Sequence, residues 1–347
     1  MDRDIASKTL EELKLQFTEM GEKPFRANQI YSWIHGKNVL DFDKMSNLSK
    51  NFREFLKNNY TIFGCTIEKK LKSEYDSTVK YLFKLDDGEY IESVLMKYKY
   101  GYTVCVSSQV GCKMACRFCA TGQGGFVRNL LPSEILSQIY VIQNDMNIKI
   151  SHIVIMGMGE PLDNYENVLR FLTLVNSADG LNISMRNISL STCGIVPKIY
   201  DLADKKLQLT LSVSLHAPFD DMRLSMMPVN KTYPIDELLK ACRYYIKQTS
   251  RRISFEYAMV SGVNDFDECA VKLSALLKGM LCHVNLIPVN NVTGNGYSKS
   301  SVERINSFVN ILEKHGITTT VRRSLGSDID ASCGQLRRRI KTGKDTF

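Results

Sequence analysis

The sequence predicts an α/β protein: a parallel sheet rolled into a full or partial barrel, preceded by a helical segment and a β-hairpin. Three observations carry this prediction. From about residue 100 onward, short apolar runs alternate with stretches of helical period. Before that, residues 60–98 keep a period of two, broken by the turn Asp86-Asp87-Gly88. Before those, residues 7–58 keep a period near 3.6.

In the first region Leu10, Leu13, Phe17 and Met20 recur at helical spacing. Gly21-Glu22-Lys23-Pro24 breaks the pattern, a second segment follows around Ile30, Trp33 and Ile34, and a third spans 48–56. The hairpin reads as 78–84 paired with 90–96. The barrel strands are expected at 103–107, 151–156, 187–192, 209–215, 252–260, 283–289 and 318–322. The helices are expected at 132–143, 164–175, 234–248, 267–277 and 301–314. Pro132-Ser133-Glu134 and Pro234-Ile235-Asp236-Glu237 have the proline and acids of a first helical turn. The expected division is a helical accessory domain at 1–60, a β-hairpin extension at 61–98, a barrel core at 99–336 and a basic tail at 337–347.

Composition sets the class. The 347 residues are 44% hydrophobic and 24% charged, an ordinary globular balance. No apolar run is long enough to span a bilayer. The start, Met1-Asp2-Arg3-Asp4-Ile5, has no signal-peptide core, so a cytoplasmic protein is expected. In a reducing compartment the ten cysteines serve as ligands or redox groups rather than staples. Net charge is +8, with basic clusters at Arg251-Arg252, Arg322-Arg323 and Arg337-Arg338-Arg339. Such clusters matter for nucleic acid where they border a site.

The most informative motif is Gly111-Cys112-Lys113-Met114-Ala115-Cys116-Arg117-Phe118-Cys119, a C-x3-C-x2-C spacing. Three thiolates on a cubane iron–sulfur cluster leave one iron open to an outside ligand. A closed zinc site needs a fourth ligand, and neither a second C-x2-C pair nor a downstream H-x3-5-H is present. Three packed, unreactive cysteines are the bland alternative. In a barrel, chemistry sits where strands end. The cysteine loop follows the first barrel strand. Gly157-Met158-Gly159-Glu160-Pro161 follows the second, Ser191-Thr192-Cys193-Gly194 the third, and Ser214-Leu215-His216-Ala217 the fourth. Asn290 follows the sixth and Cys333 the last.

A three-cysteine loop after one strand with a Gly-Glu-Pro turn after the next resembles the radical S-adenosylmethionine (SAM) superfamily, whose fold is a partial (β/α)6-type TIM barrel. The segments 104–109, 156–162, 214–217, Gly262-Val263-Asn264-Asp265 and 328–336 further resemble the ribosomal RNA adenine methylases of the RlmN and Cfr type, over about residues 23–336. The resemblance implies a 4Fe–4S cluster on Cys112, Cys116 and Cys119, with SAM on its open iron. Gly159 and Glu160 would meet the methionine end of SAM, and Ser191, Ser214, Leu215, His216 and Asn290 the rest. Two SAM molecules are expected per turnover. One methylates Cys333, and the other yields the 5′-deoxyadenosyl radical that takes a hydrogen from that methyl group. The carbon radical adds to an adenine ring carbon. Cys105 helps resolve the adduct, leaving a disulfide with Cys333, and Glu92 is the implied proton acceptor.

Several residues have plainer readings. His216 could be a structural hydrogen-bonding residue, Glu160 a helix cap, Glu92 a solvent-facing strand carboxylate and Cys105 a core residue. Pro161 resembles the branch that methylates adenine C2; the antibiotic-resistance branch acts at C8. The expected substrates are 23S ribosomal RNA at the peptidyl-transferase centre and transfer RNA near the anticodon. Flavodoxin or ferredoxin would be the electron donor to a monomer without membrane partners. Arg26, Arg322 and Arg323 are expected on the RNA surface. The alternatives are a C8 methylase, a radical SAM activase of a partner protein, and a zinc-stabilised RNA-binding module.

Overall fold

The computed structural model describes residues 3–289, 297–323 and 325–329. The chain opens with three helices, α1 (Leu10–Glu19), α2 (Phe25–Tyr31) and α3 (Lys50–Asn59). Thr9 and Glu12 close a capping box that starts α1, satisfying two otherwise orphaned N–H groups. Leu13 and Phe17 turn inward, and Phe17 meets Phe52 of α3 edge to face at 5.9 Å.

Three antiparallel strands follow, β1 (Cys65–Lys72), β2 (Val79–Leu85) and β3 (Tyr90–Tyr98). The expected hairpin is β2 and β3; β1 is an additional edge strand whose outward residues are mostly polar. β3 pairs antiparallel with β4 (Gly101–Cys105), so the extension and the barrel share one sheet. A two-stranded ribbon, β5 (Gln109–Gly111) and β6 (Phe126–Asn129), flanks the cysteine loop and the short helix α4 (Ala120–Gln123).

The βα units follow in the expected order. They are α5 (Pro132–Met146), β7 (Ile150–Ile155), α6 (Tyr165–Asn176), β8 (Ile188–Thr192), α7 (Val196–Asp204), β9 (Thr210–Ser214), α8 (Asp220–Met226), α9 (Ile235–Thr249), β10 (Ile253–Met259), α10 (Asp267–Leu277), β11 (Cys282–Pro288), α11 (Val302–Lys314) and β12 (Thr319–Val321). The ten-stranded sheet runs β1-β2-β3-β4-β7-β8-β9-β10-β11-β12, parallel from β4 onward. One cavity is lined by Val94 and Met96 of β3 and also by Arg322 and Leu325 beyond β12. The sheet therefore curls into a partial barrel, as expected.

No strand ladder joins β12 back to the first strands among the described residues. Side chains bridge the gap instead. Leu325 packs on Val94, Met96 and Cys105. Gly326 N donates to Asp76 Oδ2 at 3.0 Å, and Asp328 accepts from Ser73 Oγ at 2.7 Å and Glu74 N at 2.8 Å.

The helical region docks on α5. His35 Nδ1 lies 2.7 Å from Tyr140 Oη, and Asp4 accepts from Ser133 Oγ at 2.7 Å. Among the described residues no helix is long and apolar enough to cross a membrane.

Candidate active site

The cysteine loop is held at its base by backbone. Cys112 N donates to Gly125 O at 3.0 Å, and Cys119 N to Cys116 O at 3.1 Å. Gly111 has φ +80°, and a Cβ there would fall 1.9 Å from Gly125 O, so only glycine lets the ribbon close. Arg117 N donates to Met226 O, which ties the loop to α8. The loop thus leaves a ribbon set after β4 rather than β4 itself.

Cys112, Cys116 and Cys119 are free and partly exposed. Burial pushes the Cys112 thiol up to about 12, and burial followed by the charges of Cys119 and Cys112 pushes Cys116 up as well. A metal centre is the natural way to hold these thiols deprotonated, because binding displaces the proton. Three soft sulfur donors carried on one short loop are the chemistry of an iron–sulfur site, so the donor set fits a 4Fe–4S cluster.

Beside the loop lies a cavity of about 370 Å³, within the range of small-molecule sites. Cys119 and Phe118 line it at the cysteine loop, as do Ser191, Ser214 and His216 at the ends of β8 and β9. Cys105, at the end of β4, lines it too, with Tyr98, Arg322 and Arg323. Four of the expected site residues outside the cysteine loop therefore share one space.

His216 is fixed rather than reactive. Its φ is +59°, and its Nδ1 accepts from Ala258 N at 2.9 Å. Asn264 Nδ2 donates to His216 O and Ala258 O, each at 2.7 Å. Burial, aided by Arg223, drives His216 down to about 3, so the ring is neutral. Phe118 meets it edge to face at 4.6 Å.

Other expected residues act from outside the cavity. Leu215 packs in the core. Glu160 is buried, with Oε1 accepting from Leu162 N at 3.0 Å and Oε2 from Cys193 N at 2.7 Å. Its side chain bridges the loops after β7 and β8, and burial raises its pKa. Gly159, at φ +102°, lets that turn pass Gln109; a Cβ there would fall 2.5 Å from the Gln109 Cβ. Glu92 is not solvent-facing. It is buried on the barrel side of β3, opposite the Ser93 side chain that bonds Gln138, and its Oε2 lies 3.0 Å from Lys80 Nζ. Arg26 pairs with Glu22 at 2.8 Å and covers Phe52 at 4.1 Å, so it braces the helices. Asn290 and Cys333 lie outside the described residues.

Sequence reasoning passed over Arg223, Glu256 and the roles of Gln109 and Asn264. Gln109 and Asn264 stood inside the quoted motifs, so the signal was present without a role attached. Glu256 lines the cavity, bonded to Ser254 and Asn285. Arg223, inside α8, carries no motif and becomes visible only through its contacts.

Comparison with known proteins agrees with this arrangement. Residues 4–62 match the ribosomal RNA large subunit methyltransferase N-terminal domain, and residues 106–273 match the radical SAM superfamily. A protein of Thermoanaerobacter sp. (strain X514), named "Probable dual-specificity RNA methyltransferase RlmN", is 54% identical over 97% of this chain and 98% of its own length. One of the same name from Alkaliphilus oremlandii is 55% identical over 97% of this chain and 98% of its own. The crystal structure of a radical SAM methyltransferase from Sphaerobacter thermophilus superposes with a TM-score of 0.92 at 43% identity, covering 96% of this chain and 98% of that one. The chain belongs to the RlmN family of radical SAM RNA methyltransferases, enzymes that use a 4Fe–4S cluster and SAM.

Proposed function

We propose that this enzyme methylates C2 of adenine in 23S ribosomal RNA at the peptidyl-transferase centre and in transfer RNA near the anticodon, in the cytoplasm. The observation that carries the reading is the single cavity shared by the cysteine loop, the serines and histidine at the ends of β8 and β9, and the thiol of Cys105. When bound, the cluster and SAM supply a carbon-centred radical and a methyl group, two SAM molecules per turnover. A flavodoxin- or ferredoxin-type donor supplies the electron.

The protein's own residues have separable tasks in this reading. Cys112, Cys116 and Cys119 hold the cluster. Ser191, Ser214 and the neutral, immobilised His216 shape the SAM pocket, and Glu160 ties the turn after β7 to the loop after β8. Asn290, outside the described residues, is assigned to the same cofactor by the family resemblance. Cys333 carries the methyl group, which loses one hydrogen atom before its carbon bonds to adenine C2. A carbon tethered at the ring gains effective concentration that a diffusing methyl donor lacks. The radical adduct would give up one electron to the cluster and its C2 proton to Glu92. Cys105, as a thiolate, attacks the Cys333 sulfur, the base leaves with the bridging carbon, which takes up a proton to become the methyl group, and a disulfide remains that needs two external electrons. Arg322 and Arg323 at the cavity rim meet RNA phosphates.

Mass spectrometry of nucleosides from 23S ribosomal RNA treated with reconstituted enzyme, reductant and SAM tests this. We expect 2-methyladenosine. An 8-methyladenosine product would overturn the regiochemistry, and none with an intact, SAM-cleaving cluster would overturn the ribosomal substrate.

A further inference from the structure

Arg223 is 0% exposed, and no carboxylate stands against it among the described residues. All five of its N–H groups are used on neutral acceptors. Nε donates to Leu215 O at 3.2 Å. Nη1 donates to Asn230 Oδ1 at 2.7 Å and Tyr233 O at 3.4 Å. Nη2 donates to Cys193 O at 2.7 Å and Ser214 O at 3.1 Å. A buried cation without a counter-charge is costly, and hydrogen bonds to neutral groups offset only part of that cost. The nearest carboxylate chemistry is one residue removed. Asp220 Oδ1 accepts from Asn230 Nδ2 at 2.9 Å and from Ile235 N at 2.9 Å.

The surroundings show what the free charge faces. Cys193 packs in one small cluster with Met226 and Met227, and Cys116 and Phe118 pack against that cluster. The same Cys193 peptide donates its N–H to Glu160 and offers its carbonyl to Arg223. The guanidinium therefore stands behind the cysteine loop, clamping the chain after β8 and after β9.

We propose that Arg223 is the internal counter-charge of the cluster site: its guanidinium, bonded to neutral acceptors rather than to a carboxylate, balances the anionic thiolate–cluster assembly and fixes the carbonyls that shape the SAM pocket. It is a positioning residue and touches neither substrate nor SAM. A cation in a dry site acts strongly on a nearby charge, so it favours the reduced, more negative cluster. The inference rests on the reading that Cys112, Cys116 and Cys119 hold the cluster.

The test moves an existing carboxylate. Asp220→Asn combined with Asn230→Asp keeps the net charge and the donor and acceptor count. It sets a carboxylate directly against Arg223. The cluster midpoint potential is read by EPR-monitored titration, beside iron content. The expected result is wild-type iron content and a more negative potential. A folded variant with wild-type iron content and an unchanged potential overturns the proposal. Arg223→Lys keeps the charge but cannot reach five acceptors, so it should hold the potential and weaken SAM binding about tenfold. Should the swapped protein not fold, this variant decides: an altered potential or unchanged SAM affinity overturns the proposal. Wild-type protein that takes up no iron–sulfur cluster would instead mean that the cysteine reading itself has failed.

Discussion

The wall of the cavity that carries Ser191, Ser214 and His216 is knitted by buried polar groups, whereas the side chains packed around Cys105 are mostly apolar. On the first, Asn264, Arg223 and Glu160 each bind two or more backbone groups of the loops beyond β7, β8, β9 and β10. On the second, Cys105 sits among Val94, Met96 and Leu325. The difference matches two kinds of work. Recognising a polar cofactor needs fixed donors and acceptors, which buried networks provide. In the proposed reaction, carrying a methyl group and exchanging sulfur partners needs room for thiols to move, which suits apolar neighbours such as Val94, Met96 and Leu325.

The sharpest way to break the first wall is at its cysteines. Cys116→Ala should abolish both the brown chromophore and methylation, while the far-UV spectrum stays native; iron analysis and circular dichroism check this. Next is Asn264→Ala, which strands the carbonyls of His216 and Ala258 and the N–H of Val260. Loss of these buried bonds should cost about 3 kcal/mol in urea unfolding and weaken SAM binding.

A pH effect separates His216 from the rest. Burial lowers its folded-state value to about 3 from an unfolded value near 6.5. The neutral ring's contribution is therefore present above pH 6.5 and lost as pH falls toward 3. Between pH 7 and pH 5 it should cost about 2 kcal/mol. His35, also pushed down to about 3 by burial, keeps its share in both proteins. Comparing wild type with His216→Gln by urea unfolding at the two pH values isolates His216.

Much of this architecture was legible in the sequence. The barrel strands fall within a few residues of their expected places because their apolar runs are short and punctuated. α7 was missed. It spans nine residues and places Val196, Ile199, Leu202 and Ala203 inward at helical spacing, but Pro197 in its first turn reads as a breaker. β1 was missed because its Lys and Glu residues belong to an exposed edge. The cavity residues at the ends of β4, β8 and β9 were legible because loops after barrel strands carry the chemistry. Arg223 was not. A buried arginine bonded to backbone is specified by tertiary packing, and its helix reads locally as solvated.

The second wall is sharpened by smaller effects. Arg322→Ala with Arg323→Ala should reduce the salt slope of RNA binding by about 2, one for each lost phosphate contact. Arg26→Ala should leave that slope unchanged, because Arg26 is committed to Glu22 and Phe52. Asp328→Ala removes the bonds to Ser73 and Glu74 that anchor the chain five residues before Cys333. Turnover should fall about threefold with the cluster spectrum unchanged, since a loosened tether would misplace the proposed methyl carrier.

The most direct test of two walls serving one reaction is Cys105→Ala, incubated anaerobically with SAM, reductant and RNA and then resolved on a denaturing gel. The account predicts a covalent protein–RNA species that peptide mass spectrometry maps to Cys333, with little released methyladenosine. Methyladenosine released at the wild-type rate, with no such species, would contradict it.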